Sequence, residues 1–140
     1  HIFYGKKHLP ESSVVFYPGA LYRGWATVNM SPDFVRKNPD TVRKALRALL
    51  KAEEFVRAHR EESIQLVARR LKLEPAVLDG LWAEHVFEVK LDRRLLRSFE
   101  EIGKWAMERA KKEGPPPDFR KYVHAGALAR ERPSAVRLSR

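Results

Sequence analysis

The sequence predicts an α/β chain in which helices outweigh strands, and three observations carry that reading. Two short β-prone runs fall before Ser31. From Ser31 onward apolar residues recur at helical spacing, and the stretches are opened by Ser-Pro, Asn-Pro and Glu-Pro pairs or by an aspartate. Apolar residues make up 44% of the 140 and charged residues 33%, a balance able to build one globular core.

The first β-prone run is Val14-Val15-Phe16-Tyr17, closed by the turn pair Pro18-Gly19. The second is Trp25 to Met30, where aromatic and β-branched residues form a half-buried pattern. Tyr22-Arg23-Gly24 crosses between them. Two strands do not make a stable sheet alone, so both need partners. The opening His1-Ile2-Phe3-Tyr4 has neither an initiator methionine nor a signal-peptide core, and reads as the middle of a longer chain.

Ser31-Pro32-Asp33 has the form of an N-cap, a proline at the first helical position and an acid in the first turn. Asn38-Pro39-Asp40 repeats it, which makes the first helix short and starts a long one at Pro39, running to about His59. Val42, Leu46, Leu49, Leu50 and Val56 form its apolar stripe, with Ala45 and Ala52 beside it. Ile64, Val67, Ala68 and Leu71 mark the next helix. After Glu74-Pro75, Val77, Leu78, Leu81 and Trp82 mark another. From Val86 to Leu91 the period breaks, and Phe87, Val89 and Leu91 alternate with charges in a short strand or extended connector. Asp92 caps a long helix bearing Leu95, Leu96, Phe99, Ile102, Trp105 and Ala106, which is expected to end at Gly114 before three prolines. The expected core includes Leu46, Leu49, Phe99 and Trp105, and Asn38 and Asp92 are the expected caps. The polar, alanine-rich stretch after Val123 reads as loosely ordered or wrapped over the surface.

Several chemistries are excluded by residue type. There is no cysteine, hence no disulfide framework, thiolate zinc site or cysteine nucleophile. No apolar run approaches the ~20 residues of a membrane helix. His1, His8, His59, His85 and His124 share no helix face at metal-ligand spacing, so neither a metal nor a cofactor is expected. Ser12-Ser13 near His8 lacks a positioned base and oxyanion donors. The pairs Glu53-Glu54, Glu61-Glu62 and Glu100-Glu101 diverge by about 100° on a helix and do not face one substrate. The chain is therefore read as non-enzymatic.

The 28 basic residues exceed the 18 acidic ones, for a net charge of +10. Such an excess favours nucleic acid, anionic ligands or an anionic membrane surface. Cations and acids interleave along the helices, however, which is the pattern of a solvated face and argues against specific nucleic-acid binding. A more pointed set is Tyr17, Tyr22, Arg23 and Trp25 beside Gly19 and Gly24. Aromatic walls and one guanidinium suit a small anionic or planar ligand, and the same residues also suit an ordinary edge strand.

The order of features resembles a known family. The run Trp25 to Met30 is followed by Ser31-Pro32-Asp33-Phe34-Val35-Arg36-Lys37-Asn38-Pro39-Asp40-Thr41-Val42-Arg43. The likeness continues through Leu49-Leu50-Lys51-Ala52, Arg60-Glu61-Glu62-Ser63, Leu73-Glu74-Pro75, Phe87-Glu88-Val89, Leu91-Asp92 with Leu95-Leu96, Trp105, Pro117-Asp118-Phe119 and Tyr122-Val123. It is similar to the extracytoplasmic solute-binding proteins of ABC importers for aliphatic sulfonates, taurine, nitrate and thiamine-precursor pyrimidines. The resemblance implies the helix-rich C-terminal portion of a two-lobe, type II periplasmic-binding-protein-like fold. Residues 1–24 would be the end of lobe two and the hinge crossing, 25–123 the lobe-one strand and helices, and 124–140 a C-terminal tail. The chain departs from a complete member in lacking the N-terminal lobe and the Trp-x-Pro before the position of His1. Tyr22, Arg23, Trp25 and His1 form the expected ligand-binding set. The implied partners are a small solute and a transporter permease, in the periplasm or outside the cell. A helical nucleic-acid module and a self-associating interaction module are the alternative readings.

Overall fold

Ser31 does what its sequence context predicts: its Oγ accepts the Phe34 N–H at 3.2 Å and opens the first helix, α1 (Pro32–Lys37). A computed structural model describes residues 9–10, 12–14 and 24–138, of which 64% are helical with only a two-stranded sheet. The helix-rich character expected from the sequence is therefore present. The elements that follow are α2 (Pro39–Ala58), α3 (Arg60–Leu71), α4 (Pro75–Trp82), β1 (Leu91–Asp92), α5 (Arg93–Arg109), a 3₁₀ turn at Phe119–Tyr122, α6 (Ala125–Glu131), a second 3₁₀ turn at Pro133–Ala135, and β2 (Val136–Arg137).

These residues form two compact units. Of the described residues, those up to 28 and those of 61–85 belong to one, and those of 29–60 and 86–138 to the other. In the first unit, Ile64 and Ala68 on α3 and Val77 on α4 are buried. Lys72, at φ 55°, ends α3 in the left-handed conformation, with Leu73 N–H on the Ala68 carbonyl at 3.0 Å. That bond pattern closes a helix end and is usually built on glycine.

The second unit is organised by the 20-residue α2. Its buried face is Val42, Leu50 and Glu53, with Leu46 packed beside Leu50. The expected stripe is thus rotated: Leu49 is 38% exposed. The cause is the partner, because α6 has only seven residues and lays Leu128 against the Leu50 side. Leu50, Leu128 and Ala135 form the core cluster, and Leu46, Val89, Leu91 and Val136 close it.

Three other sequence expectations are corrected here. Trp25 to Met30 is no regular strand, and Val28 is 64% exposed. Asn38 makes no side-chain cap for α2; its Nδ2 and its backbone N–H both donate to the Phe34 carbonyl and so terminate α1 instead. The stretch after Val123 is not loose. It forms α6 and then β2, which pairs in parallel with β1, Leu91 opposite Val136 and Asp92 opposite Arg137. Leu128 is its anchor, at 3% exposure.

The run from Val86 resolves into an extended connector that becomes regular only at β1. Asp92 is the expected cap, with Oδ1 accepting Arg94 N–H at 2.9 Å and Leu95 N–H at 3.2 Å. On α5, Leu95 and Leu96 are buried, and Phe99 meets Phe119 at 5.8 Å between ring centroids. Gly103 leaves room for that ring, since a Cβ there would lie 2.7 Å from Phe119. Trp105 comes two residues after Gly103, a turn of about 200° away from Phe119. It is 60% exposed and stacked under the Arg109 guanidinium at 5.7 Å, so it is not core. Helix α5 stops at Arg109, short of Gly114, because Lys111 adopts φ 50° and Lys112 N–H turns back to the Met107 carbonyl at 2.9 Å. Among the described residues no helix is long and apolar enough to cross a membrane.

Candidate functional site

Of the four residues expected to bind ligand, Trp25 is half-buried, while His1, Tyr22 and Arg23 lie outside the described residues. So does the first β-prone run beyond Val14. Among the described residues, the densest polar chemistry gathers at a residue that sequence reasoning had assigned to a solvated face, Glu53.

Helix α2 places Glu53 one turn beyond Leu50 and on the same face, so its carboxylate points into the junction with the later segments. Glu53 is 5% exposed. Three elements serve it. From the connector, Val89 N–H donates to Oε2 at 2.8 Å. From the residue that ends α6, Arg132 Nη1 donates to both oxygens at 2.8 Å. From α2 itself, Arg57 Nη2 donates to Oε1 at 2.7 Å. Burial pushes the Glu53 carboxyl up. The Val89 N–H, the Arg132 hydrogen bond and charge and the Arg57 charge together outweigh burial and hold the group below the usual carboxylate range.

The two arginines are not equivalent. Arg132 is 26% exposed at its side chain and Arg57 70%. A partly desolvated guanidinium on a buried carboxylate is a strong charge-assisted contact, whereas the solvated one is screened. A second tie runs parallel to the first: Glu131, 11% exposed, accepts Arg47 Nε at 2.6 Å and has Arg43 Nε at 3.8 Å. Lys90 pairs with Glu88 on the connector, and its Nζ lies 3.7 Å from Asp92 Oδ2.

A depression of about 330 Å³ lies over this cluster, lined by Glu53, Glu54, Arg57, Glu88, Arg132 and Arg137 among others. Its walls are ionic, unlike the apolar walls of most small-molecule sites. A carboxylate held ionised with both oxygens occupied has no proton to donate and no lone pair directed at a substrate. Glu53 thus ties three segments together. Among the described residues, no group of three or more histidine, aspartate or glutamate side chains is placed to hold a metal ion.

The sequence signal for Glu53 was weak but present, because Val42, Leu46, Leu50 and Glu53 share one helix face. Its partner Arg132, 79 residues away, carried none. Comparison of the chain with protein-family models, with curated proteins and with solved structures returns no match.

Proposed function

We propose that this chain is the helix-rich C-terminal portion of an extracytoplasmic solute-binding protein of an ABC importer. The fold of the whole would be the two-lobe type II arrangement, and the ligand a small anionic or heterocyclic solute such as a sulfonate, taurine, nitrate or a pyrimidine. One observation supports the reading above the rest. Segments that carry the resemblance coincide with element starts: Ser31-Pro32 opens α1, Asn38-Pro39 opens α2, Glu74-Pro75 opens α4, and Leu91-Asp92 leads into α5.

In this reading Tyr22, Arg23 and Trp25 lie at the lobe crossing, Arg23 pairs with the anionic group of the solute, and the aromatic rings wall the site. The protein acts outside the cytoplasm and hands its solute to a membrane permease. Calorimetric titration of the full-length protein with sulfonates, taurine, nitrate and pyrimidines tests this. At least one is expected to bind, with a change in Trp25 fluorescence. Arg23→Ala is expected to weaken that binding by about 2–5 kcal/mol. Absence of binding to all four classes would reject the proposal.

A further inference from the structure

The apolar stripe of α5 outruns the structure that covers it. Leu95 and Leu96 near its start are buried, and Phe99 is held by Phe119. Beyond Phe99 the stripe continues through Ile102 and Ala106, with Trp105 at its edge, and these are exposed, Ile102 by 56% and Trp105 by 60%. Ile102, Trp105 and Ala106 share an arc of about 100° on the helix, with Arg109 one turn on in its middle. Tyr122, at the end of the 3₁₀ turn that Phe119 fastens to this helix, is 78% exposed. The stretch is also cationic. From Ile102 to Tyr122 it carries Lys104, Arg109, Lys111, Lys112, Arg120 and Lys121. Its acids are Glu108, Glu113 and Asp118. The six cations are all exposed, and none makes an ion pair among the described residues.

We propose that this face of α5 rests on a membrane surface of anionic phospholipid, with Trp105 and Ile102 entering the headgroup layer and the neighbouring cations meeting lipid phosphates. The inference does not depend on the solute-binding reading. An exposed aliphatic side chain gains by leaving water for the boundary between headgroups and acyl chains. Tryptophan suits the same boundary, because it joins an apolar body to a polar tip. Nucleic acid would engage the cations and the indole, but it offers Ile102 and Ala106 no apolar partner. A second copy of the chain is disfavoured by charge, since each copy carries +10 and part of that excess lies in this stretch. An anionic surface turns the same charge into attraction. Apolar contact by two side chains is marginal by itself, so binding needs both the patch and the cations.

Cosedimentation of the full chain with vesicles of phosphatidylcholine alone, or mixed with phosphatidylglycerol, tests this. Binding to the mixed vesicles is expected, at least about tenfold weaker to phosphatidylcholine alone or at ~0.5 M salt. Tryptophan emission should shift to the blue on binding. Trp105→Phe keeps a ring at the boundary, so it should bind within about threefold of the parent while losing that shift. Ile102→Ser combined with Trp105→Ser should weaken binding at least about tenfold. Arg109→Gln combined with Lys112→Gln should weaken it about fivefold for each cation removed. Lys44→Gln combined with Lys51→Gln takes the same charge from α2 and should change binding less than about threefold. Absence of binding to the mixed vesicles would overturn the proposal. So would equal losses from the α2 and α5 pairs, or full binding by the double serine variant, since either reduces the effect to adhesion of a basic protein. A dimer in sedimentation velocity that the double serine variant dissociates would give the face to a second copy. Trp105 emission already blue in buffer would show the face covered within the chain, and would overturn the proposal as well.

Discussion

Two residues with the same local sequence grammar should respond very differently to alanine. Asn38 and Asp92 each stand directly before a helix. Asp92 satisfies two of the four N–H groups that a helix start leaves unpaired, and its side chain is 16% exposed. It is also the negative charge at the start of α5, whose first turn contains Arg93 and Arg94 and no acid. Loss of the cap costs about 0.5–2 kcal/mol, and loss of the charge at the positive end of the dipole about 0.3–1 kcal/mol more. Asp92→Ala should therefore destabilise by about 2 kcal/mol, and Asp92→Asn, which keeps the cap, by about 0.5 kcal/mol. Asn38→Ala removes only a hydrogen bond to a Phe34 carbonyl that the Asn38 backbone N–H already serves, so about 0.5 kcal/mol or less is expected. Urea unfolding followed by far-ultraviolet circular dichroism, with all variants at one pH and salt concentration, gives the three differences. A loss in Asn38→Ala equal to that in Asp92→Ala would refute the assignment of their roles.

The remaining expectations concern packing, charge and backbone strain. Leu50→Ala, at a position 8% exposed, should cost about 2–5 kcal/mol, and Leu49→Ala, 38% exposed, less than about 1 kcal/mol; equal midpoints in urea would contradict the rotated face of α2. Glu53 is held below the ordinary carboxylate value of 4.5, so it binds its proton less readily folded than unfolded. Its contribution is fully present above that value and is lost as pH falls through the lower folded value. The stability gap between parent and Glu53→Gln should accordingly be wide at pH 7 and narrow below pH ~4, as urea titrations across that range would show; a gap that widens on acidification has the wrong sign. Lys111→Gly should stabilise by about 0.5–1 kcal/mol, since relief of about 1–2 kcal/mol of left-handed strain exceeds the added chain entropy of about 0.5–1 kcal/mol. A lower melting temperature in that variant would show that Lys111 is not strained.

Much of the helical framework was legible because its determinants are local. Ser31 reaches Phe34, three residues on, and Asp92 reaches Arg94 and Leu95, so the cap and the helix it starts are written in one short string. The proline-led starts at Pro32, Pro39 and Pro75 depend on a ring that fixes φ and lacks a donor, which no distant contact alters. Helix ends were less legible: Lys72 and Lys111 take a conformation that glycine ordinarily supplies, and nothing in their side chains announces it.

Which face of each helix is buried was decided by tertiary structure. Periodicity places Leu49 and Leu50 on one broad stripe, and only the arrival of Leu128 from α6 selects Leu50. Trp105 has the residue type of a core position, yet Phe119 docks at Gly103 on the other side of α5 and leaves the indole to Arg109. The tether is the clearest case. Glu53 read alone is a helical acid beside another acid, and it can be buried as a carboxylate because Arg132, 79 residues away, and the Val89 N–H, 36 residues away, converge on it. Composition and local pattern set which segments become helices, because those forces act over three or four residues. Desolvation and charge pairing act wherever the folded chain brings groups together, and so the identity of the buried carboxylate belongs to the fold.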